Sequence, residues 1–280
     1  MENNIQRDKF KAVWLSHSSI ADFLKCPRSY YLRSVYKDPR SGHRITVMTP
    51  PLALGQAVHD VLDSISNLGA EERFTIPLTK KLDVVWQKIE GKKGGFKTSA
   101  VEMEYKDRGR QMLKRVEENP GILREKAIKI KADGGLPWYW LNDTDNLILC
   151  GKVDWLVYKQ ESDSVHILDF KTGKNEEEED SLQLPIYYLL VKNLQNRNIE
   201  GASYWYLDKN DTPIAVNLPD EKKAFDTILE IAQKIKLARQ LQIFKCPFGG
   251  CRQCMALERV VAGEGEKVAV SEYNQDLYVL

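Results

Sequence analysis

The chain has 280 residues, of which 42% are hydrophobic and 29% are charged, and its formal net charge is +1. This composition predicts a globular protein with a sizeable core, in one large domain or two small ones. The near-zero net charge excludes attraction of a polyanion by overall charge, so any contact with nucleic acid must depend on local basic clusters.

The first half of the chain is predicted to be mainly helical. Residues 16–36 form two short helical pieces that are broken at Pro27. Another helix begins after Pro50-Pro51 and carries apolar residues at the spacing of a buried stripe: Val58, Val61, Leu62 and Ile65. Residues 67–119 predict helices around a mobile basic loop at 92–97, where glycines interrupt the pattern.

The second half changes character, because runs rich in Ile, Leu and Val replace the helical pattern. We expect residues 124–131, 146–158 and 164–170 to be strands of one central sheet. The pattern then predicts a helix over 183–195, strands over 202–208 and 213–217, and a long amphipathic helix over 219–242.

Two segments carry the strongest chemical signal: Gly151-Lys152-Val153-Asp154 and Leu168-Asp169-Phe170-Lys171. If their strands form a hairpin with its turn centred between Glu161 and Ser162, Asp154 lies opposite Asp169. Facing Cβ atoms are roughly 5 Å apart, so both carboxylates can bind one hard divalent cation. Lys171 projects on the same face as Asp169, where its ammonium can orient or activate an attacking water. The pattern therefore predicts phosphodiester hydrolysis.

A bare acid-x-lysine pattern is weak on its own, since the chain also contains Asp220-Glu221-Lys222 and Glu90-Gly91-Lys92. A solvated strand end explains Asp169 and Lys171 equally well when they are taken alone. The additional Asp154 on a neighbouring strand is what favours a catalytic site.

The cysteines and the N-terminus indicate the compartment and a metal site. The N-terminus has no signal-peptide core and no apolar run could span a bilayer, so we expect a cytoplasmic protein. Five cysteines in such a protein favour metal-binding thiolates over disulfides. Cys246, Cys251 and Cys254 are closely spaced, and Cys26 is the remote partner that completes a four-thiolate site for zinc or an iron–sulfur cluster. Cys150 is most simply a buried small hydrophobic residue.

Taken together, these motifs resemble the PD-(D/E)XK nuclease superfamily, in particular the RecB and AddB nuclease domains and the CRISPR-associated exonucleases. The resemblance rests on four segments: Leu54-Gly55-Gln56-Ala57-Val58-His59, Gly151-Lys152-Val153-Asp154, Leu168-Asp169-Phe170-Lys171-Thr172-Gly173 and Leu182-Gln183-Leu184-Pro185-Ile186-Tyr187. It implies the following roles: a metal-binding histidine at His59, metal-binding acids at Asp154 and Asp169, the catalytic lysine at Lys171, and Gln183 and Tyr187 beside the site.

Other interpretations of single residues stay open. His59 lies beside an apolar stripe and, alone, would be an ordinary helix histidine. Gln183 and Tyr187 are four apart on one helix face, and core packing explains Tyr187 as well as a contact with DNA does. The acidic run from Glu176 to Asp180 is expected to be a solvated loop before the next helix.

The resemblance also implies an α/β fold of the restriction-endonuclease-like kind, with a central mixed β-sheet flanked by helices. We expect a single nuclease domain over residues 1–280, with a catalytic core at about 120–245 and a helical N-terminal insertion at about 66–120. Cys26 and residues 246–254 would form a C-terminal iron–sulfur clamp. The family's order of one cysteine before the core and three after it favours a structural 4Fe-4S cluster over zinc.

The expected activity is hydrolysis of DNA with Mg²⁺ or Mn²⁺, by an exonuclease that starts at a free single-stranded end and serves DNA repair, recombination or CRISPR adaptation. Candidates for phosphate contacts are Lys92, Lys93, Lys97, Lys126, Lys129 and Lys131, and candidates for base stacking are Tyr30, Tyr31 and Trp138. Two alternatives remain: a non-catalytic DNA-binding iron–sulfur protein, and an accessory subunit that delivers DNA ends to a helicase, integrase or CRISPR adaptation complex.

Overall fold

The structure is a computed structural model that describes residues 8–130 and 135–280. Its strands are β1 Val13–Leu15, β2 Arg44–Val47, β3 Ala127–Ile128, β4 Trp138–Asn142, β5 Leu147–Cys150, β6 Trp155–Lys159, β7 Ser164–Lys171, β8 Asn198–Tyr206, β9 Ile214–Val216, β10 Glu266–Val270 and β11 Gln275–Val279. Its α-helices are α1 His17–Lys25, α2 Pro27–Tyr30, α3 Pro50–Ser66, α4 Leu78–Trp86, α5 Ser99–Glu118, α6 Gln183–Leu194, α7 Glu221–Leu241 and α8 Arg252–Val261. No helix among the described residues is both long and apolar enough to cross a membrane.

The largest sheet has five strands in the order β3-β6-β7-β8-β9. Strands β7 and β8 are parallel, and the other neighbours are antiparallel. The chain passes from β7 to β8 through α6, the crossover that a parallel pair requires. The class is therefore mixed α/β, as the sequence predicts.

The β6–β7 hairpin has the predicted register. Trp155 pairs with Leu168 and Lys159 pairs with Ser164, which centres the turn between Glu161 and Ser162. Both strands are largely buried, so a shift of one residue would carry their apolar side chains to the wrong face. The apolar pattern therefore fixes which residues face each other at the open end of the hairpin.

The predicted strand over 146–158 is not continuous, because it divides at Gly151 between two sheets. Its first part, β5, pairs with β1 and β4 in a separate three-stranded sheet, and its second part, β6, enters the five-stranded sheet. The backbone turns here against α6, since a Cβ at Gly151 would lie 3.0 Å from Leu190 Cδ1. A third sheet of order β10-β11-β2 joins the C-terminal hairpin to a strand near the N-terminus.

Helices α3, α4 and α5 pack together on the five-stranded sheet. Their buried side chains share one cluster with Trp155, Phe170 and Trp205 of the sheet. The expected mobile loop at 92–97 is instead a short 3₁₀-helix, Gly91–Gly94, followed by a buried phenylalanine. Phe96 stacks on Trp86 with ring centroids 5.6 Å apart, so this basic segment is packed onto helix α4.

Candidate active site

The two acids lie at the open end of the β6–β7 hairpin. Asp169 is in β7 and is only 1% exposed, and Asp154 directly precedes β6. The backbone N–H of Phe170 donates to Asp154 Oδ2 at 3.0 Å, which fixes this carboxylate beside the neighbouring strand. The hairpin register thus brings the two carboxyl groups together, as the sequence predicts.

Lys171 projects from β7 on the same side as Asp169. Its Nζ lies 2.9 Å from Asp169 Oδ2 and 2.7 Å from Glu177 Oε2, and it donates to Gln183 Oε1. The ammonium also lies 4.9 Å from the centre of the Tyr204 ring. Three polar partners and an aromatic wall hold this side chain, which is mostly buried.

Helix α6 carries Gln183 in its first turn and Tyr187 one turn later. Gln183 Nε2 donates to Asp169 Oδ1 at 2.9 Å and to Tyr187 Oη at 3.2 Å. The oxygen of the same amide accepts from Lys171, so Gln183 binds the Asp169 carboxyl group and the Lys171 ammonium at the same time. The helix therefore orients both functional groups of β7.

His59 reaches the acids from α3. Its Nδ1 lies 3.4 Å from Asp154 Oδ1, and its ring packs edge-on against Phe170. The helix approaches the end of β7 closely, since a Cβ at Gly55 would lie 3.2 Å from Thr172 Oγ1. Glycine at this position lets α3 place the imidazole beside the carboxylates.

The electrostatics of the site follow from a buried acid, Asp169, in contact with a partly buried one, Asp154. Burial, reinforced by the charge of Asp154, raises the pKa of Asp169 to about 8. Burial opposes ionisation of Asp154 as well, but His59 and hydrogen bonds from Phe170 and Asp169 outweigh it and lower its pKa. Burial opposes the charged form of His59, yet the two carboxylates raise its pKa.

The lysine remains charged in this setting. Burial alone would lower the pKa of Lys171, but Asp169 and Glu177 outweigh burial and raise it. The structure therefore places a charged ammonium beside the carboxyl groups of the hairpin.

A divalent cation fits this donor set. Asp169 Oδ2 is buried and makes no well-directed hydrogen bond, although Lys171 Nζ lies nearby. Two carboxylates and an imidazole suit hard to borderline divalent ions such as Mg²⁺ and Mn²⁺. The residues that would hold such an ion are Asp154, Asp169 and His59, whose Nδ1 lies 3.4 Å from Asp154 Oδ1.

Glu177 is a site residue that the sequence does not reveal. It contacts Lys171, accepts from Ser181, and is tied to the sheet by the Tyr206 hydroxyl, which accepts from the Glu177 backbone N–H at 3.1 Å. The expected solvated loop therefore contains one inward-facing acid. Glu177 lies six residues after Lys171, close enough in sequence to reach it. The neighbouring acids made Glu177 look like one more solvated residue of the loop.

Four cysteines form a second centre. In the described parts of the chain, Cys26, Cys246, Cys251 and Cys254 are the one set of potential metal ligands whose atoms all lie within 4.8 Å of one another. Burial raises the pKa of Cys26 to about 12, whereas the backbone N–H of Cys254 helps to lower the pKa of Cys251 to about 7. The predicted remote partner, Cys26, is confirmed as a member of the cluster.

The fifth cysteine, Cys150, is buried at the end of β5 and takes no part in that group. Burial raises its pKa to about 11. It is therefore a small core residue, as the sequence predicts.

The fold and the hairpin site define a metal-dependent hydrolase of phosphodiester bonds. The family model of the PD-(D/E)XK nuclease superfamily matches residues 14–259, and the chain belongs to this superfamily. It is accordingly a metal-dependent nuclease that acts on nucleic acid. No curated protein matches the chain.

We predict that Asp169 makes the metal-free protein sensitive to alkaline pH. Its folded pKa of about 8 exceeds its ordinary value of 3.8, so its contribution to stability is lost as the pH rises towards about 8. In divalent-free buffer, the unfolding free energy of the wild type relative to Asp169→Asn should fall by on the order of 3 kcal/mol between about pH 5.5 and 8.5. Urea denaturation at both values measures this.

The exposed Asp226, which pairs with Lys222 on α7, provides the matched control. Asp226→Asn should change stability by the same small amount at both pH values. A constant difference between the wild type and Asp169→Asn across this range would contradict the assigned pKa of Asp169.

Proposed function

We propose that this nuclease hydrolyses DNA from a free single-stranded end, with Mg²⁺ or Mn²⁺ bound by Asp154, Asp169 and His59. The observation that carries the proposal is the Lys171 ammonium, 2.9 Å from the buried carboxylate of Asp169, which adjoins the partly buried carboxylate of Asp154. The bound cation would act as a Lewis acid on the scissile phosphate and its attacking water. We propose further that residues 1–280 act as one nuclease domain, with its core at about 120–245 and its insertion at about 66–120.

Lys171 has two tasks in the proposed reaction. A water oxygen forms a bond to phosphorus, the bond from phosphorus to the leaving oxygen breaks, and negative charge builds up on the other phosphate oxygens. The ammonium, charged because its carboxylate neighbours raise its pKa, orients the water and stabilises that charge. The proton of the water leaves to solvent, since Lys171 retains its own.

Gln183 and Tyr187 keep these groups in place. The Gln183 amide holds Lys171 at one end and Asp169 at the other, and Tyr187 holds the amide. A ligand carboxylate and a catalytic lysine need fixed positions to act on one phosphate. We therefore assign orientation, not chemistry, to both side chains of α6.

The preference for a single-stranded end is supported by the motifs shared with RecB and AddB nuclease domains and CRISPR-associated exonucleases. The same similarity supports a role in DNA repair, recombination or CRISPR adaptation. A helicase or CRISPR adaptation protein would then be a separate partner that supplies the DNA end.

We propose that the four cysteines bind a 4Fe-4S cluster with a structural role. Four converging thiolates, one of which is far from the others in sequence, support it. Metal bonds between Cys26 and the C-terminal cysteines would close a very long loop and so reduce the entropy of the unfolded chain. An ion pair beside the cluster, between Arg28 and Glu258, already joins α2 to α8.

Replacing the lysine should abolish cleavage. We expect Lys171→Met to lower the cleavage rate by about 10²-fold or more, because it removes the charge that stabilises the transition state. The assay follows end-labelled single-stranded and double-stranded DNA with Mn²⁺, Mg²⁺ or EDTA. Lys222→Met, in the exposed acid-x-lysine sequence of α7, is the control and should cleave normally. Equal activity of both variants would refute the assigned site.

Glu177 should act as a positioning residue for Lys171. We expect Glu177→Gln to lower kcat about tenfold with little change in KM, since Lys171 keeps Asp169 and Gln183 but loses one charged partner. Glu177→Asp should restore part of the rate, and Glu179→Gln, an exposed neighbour, should behave like the wild type. A loss confined to KM, or no loss at all, would show that Glu177 has another role.

The cluster is tested by metal content. Cys26→Ala should yield colourless, poorly soluble protein without iron or sulfide, because the cluster then lacks one of its four ligands. Cys150→Ala removes a buried thiol outside the cluster and should keep the brown colour and about four iron atoms per chain. Zinc in place of iron in the wild type would show that the site is a zinc site.

A further inference from the structure

The aromatic residues expected to stack with DNA bases are occupied by the protein itself. Tyr30 is fully buried, so that expectation is wrong. Tyr31 packs against Phe244 with centroids 5.0 Å apart, and Trp138 packs against Trp14 with centroids 5.4 Å apart. An aromatic ring that stacks on a DNA base beside the acids is therefore expected at another residue.

Two cavities flank Asp154, with volumes of about 300 Å³ and 570 Å³. The first lies along β3 and β6, and the second lies between α3 and the end of β7. Three residues line both of them: Lys152, Asp154 and Tyr273. The two cavities therefore form one groove past the acid, with Tyr273 at the rim that they share.

Tyr273 is at the tip of the β10–β11 hairpin and is 77% exposed. Its backbone N–H donates to Ser271 Oγ, while its ring makes no hydrogen bond or aromatic contact in the described residues. A large ring that is left open to solvent gains stability when a planar partner covers it.

The hairpin tip is held in place. Lys88 Nζ lies 3.1 Å from Glu272 Oε1, and Lys92 Nζ lies 2.8 Å from Glu266 Oε2, so two ion pairs connect the hairpin to the helical insertion. Strand β11 also pairs with β2 along its length. The ring is therefore presented at a fixed place beside the groove.

The groove also contains two lysines, which pair with one acid. Lys152 and Lys129 line it, and their Nζ atoms lie 2.7 Å and 2.6 Å from the two oxygens of Asp63. Both lysines are about half exposed, so they can turn towards a phosphate. Lys131, another expected phosphate contact, lies outside the described residues.

We propose that Tyr273 stacks on a base of the single-stranded DNA substrate while the adjoining phosphate lies at the acids. This inference rests on the proposed function, because it assigns the substrate strand to the same groove. Every base presents a flat face, so a tyrosine here gives affinity without sequence preference. The hairpin lies beyond residues 14–259, the part that the family model matches.

Binding of fluorescent oligothymidylate to the full chain tests the proposal, with Lys171→Met as the background so that the strand stays intact. Adding Tyr273→Ala should weaken binding about tenfold or more, and adding Tyr273→Phe should leave it unchanged, because both Tyr and Phe can stack. Phe10→Ala is the control, since Phe10 is 89% exposed but lies outside both cavities. A strand with abasic sites under the ring should bind all variants alike.

Equal binding of oligothymidylate by Tyr273→Ala and its parent would overturn the proposal, as would an equal loss on the abasic strand or binding of RNA alone. Cleavage assays separate this inference from the function beneath it. If the wild type cuts DNA and Tyr273→Ala binds the strand as tightly as its parent, only the stacking role of Tyr273 is refuted. If the wild type binds DNA through Tyr273 but does not cut it, the proposed cleavage of DNA is refuted instead.

Discussion

The site depends on two carboxylates that the β6–β7 hairpin forces together in a buried place. Like charges at such a distance cannot both ionise without compensation, and here the conflict appears as a pKa of about 8 for Asp169 and a lowered pKa for Asp154. Lys171 compensates in part, and a divalent cation would complete the compensation. The same arrangement therefore explains why metal is needed and why the lysine stays charged.

The topology brings the remaining groups to this point. The parallel pairing of β7 and β8 requires a crossover, and α6 supplies it with Gln183 in its first turn, beside the end of β7. Helix α3 contributes His59 from the other side, where Gly55 allows close approach to Thr172. Helix α3, which is distant in sequence, and helix α6, which follows β7, thus meet at the strand end that carries Asp169 and Lys171.

Apolar alternation and the position of the turn predict the part of the site that lies on the β6–β7 hairpin. The register of the hairpin follows from apolar alternation and the turn, so the facing of Asp154 and Asp169 could be derived from the sequence. The division at Gly151 could not be predicted, because a run of apolar residues does not indicate which sheet each half joins. The β2–β11 pairing joins residues near opposite ends of the chain and leaves no local trace. Glu177 was hidden for a related reason, since one inward-facing acid looks like its solvated neighbours.

Helix α1 connects the two centres of the molecule. It begins at His17, which shares a cavity with Glu177, and it ends at Cys26, which caps the helix and belongs to the four-cysteine group. The helix spans nine residues, so it reaches from the edge of the hairpin site to the four-cysteine group. Glu177 in turn contacts Lys171. One short helix therefore lies between the four-cysteine group and the acid that contacts Lys171.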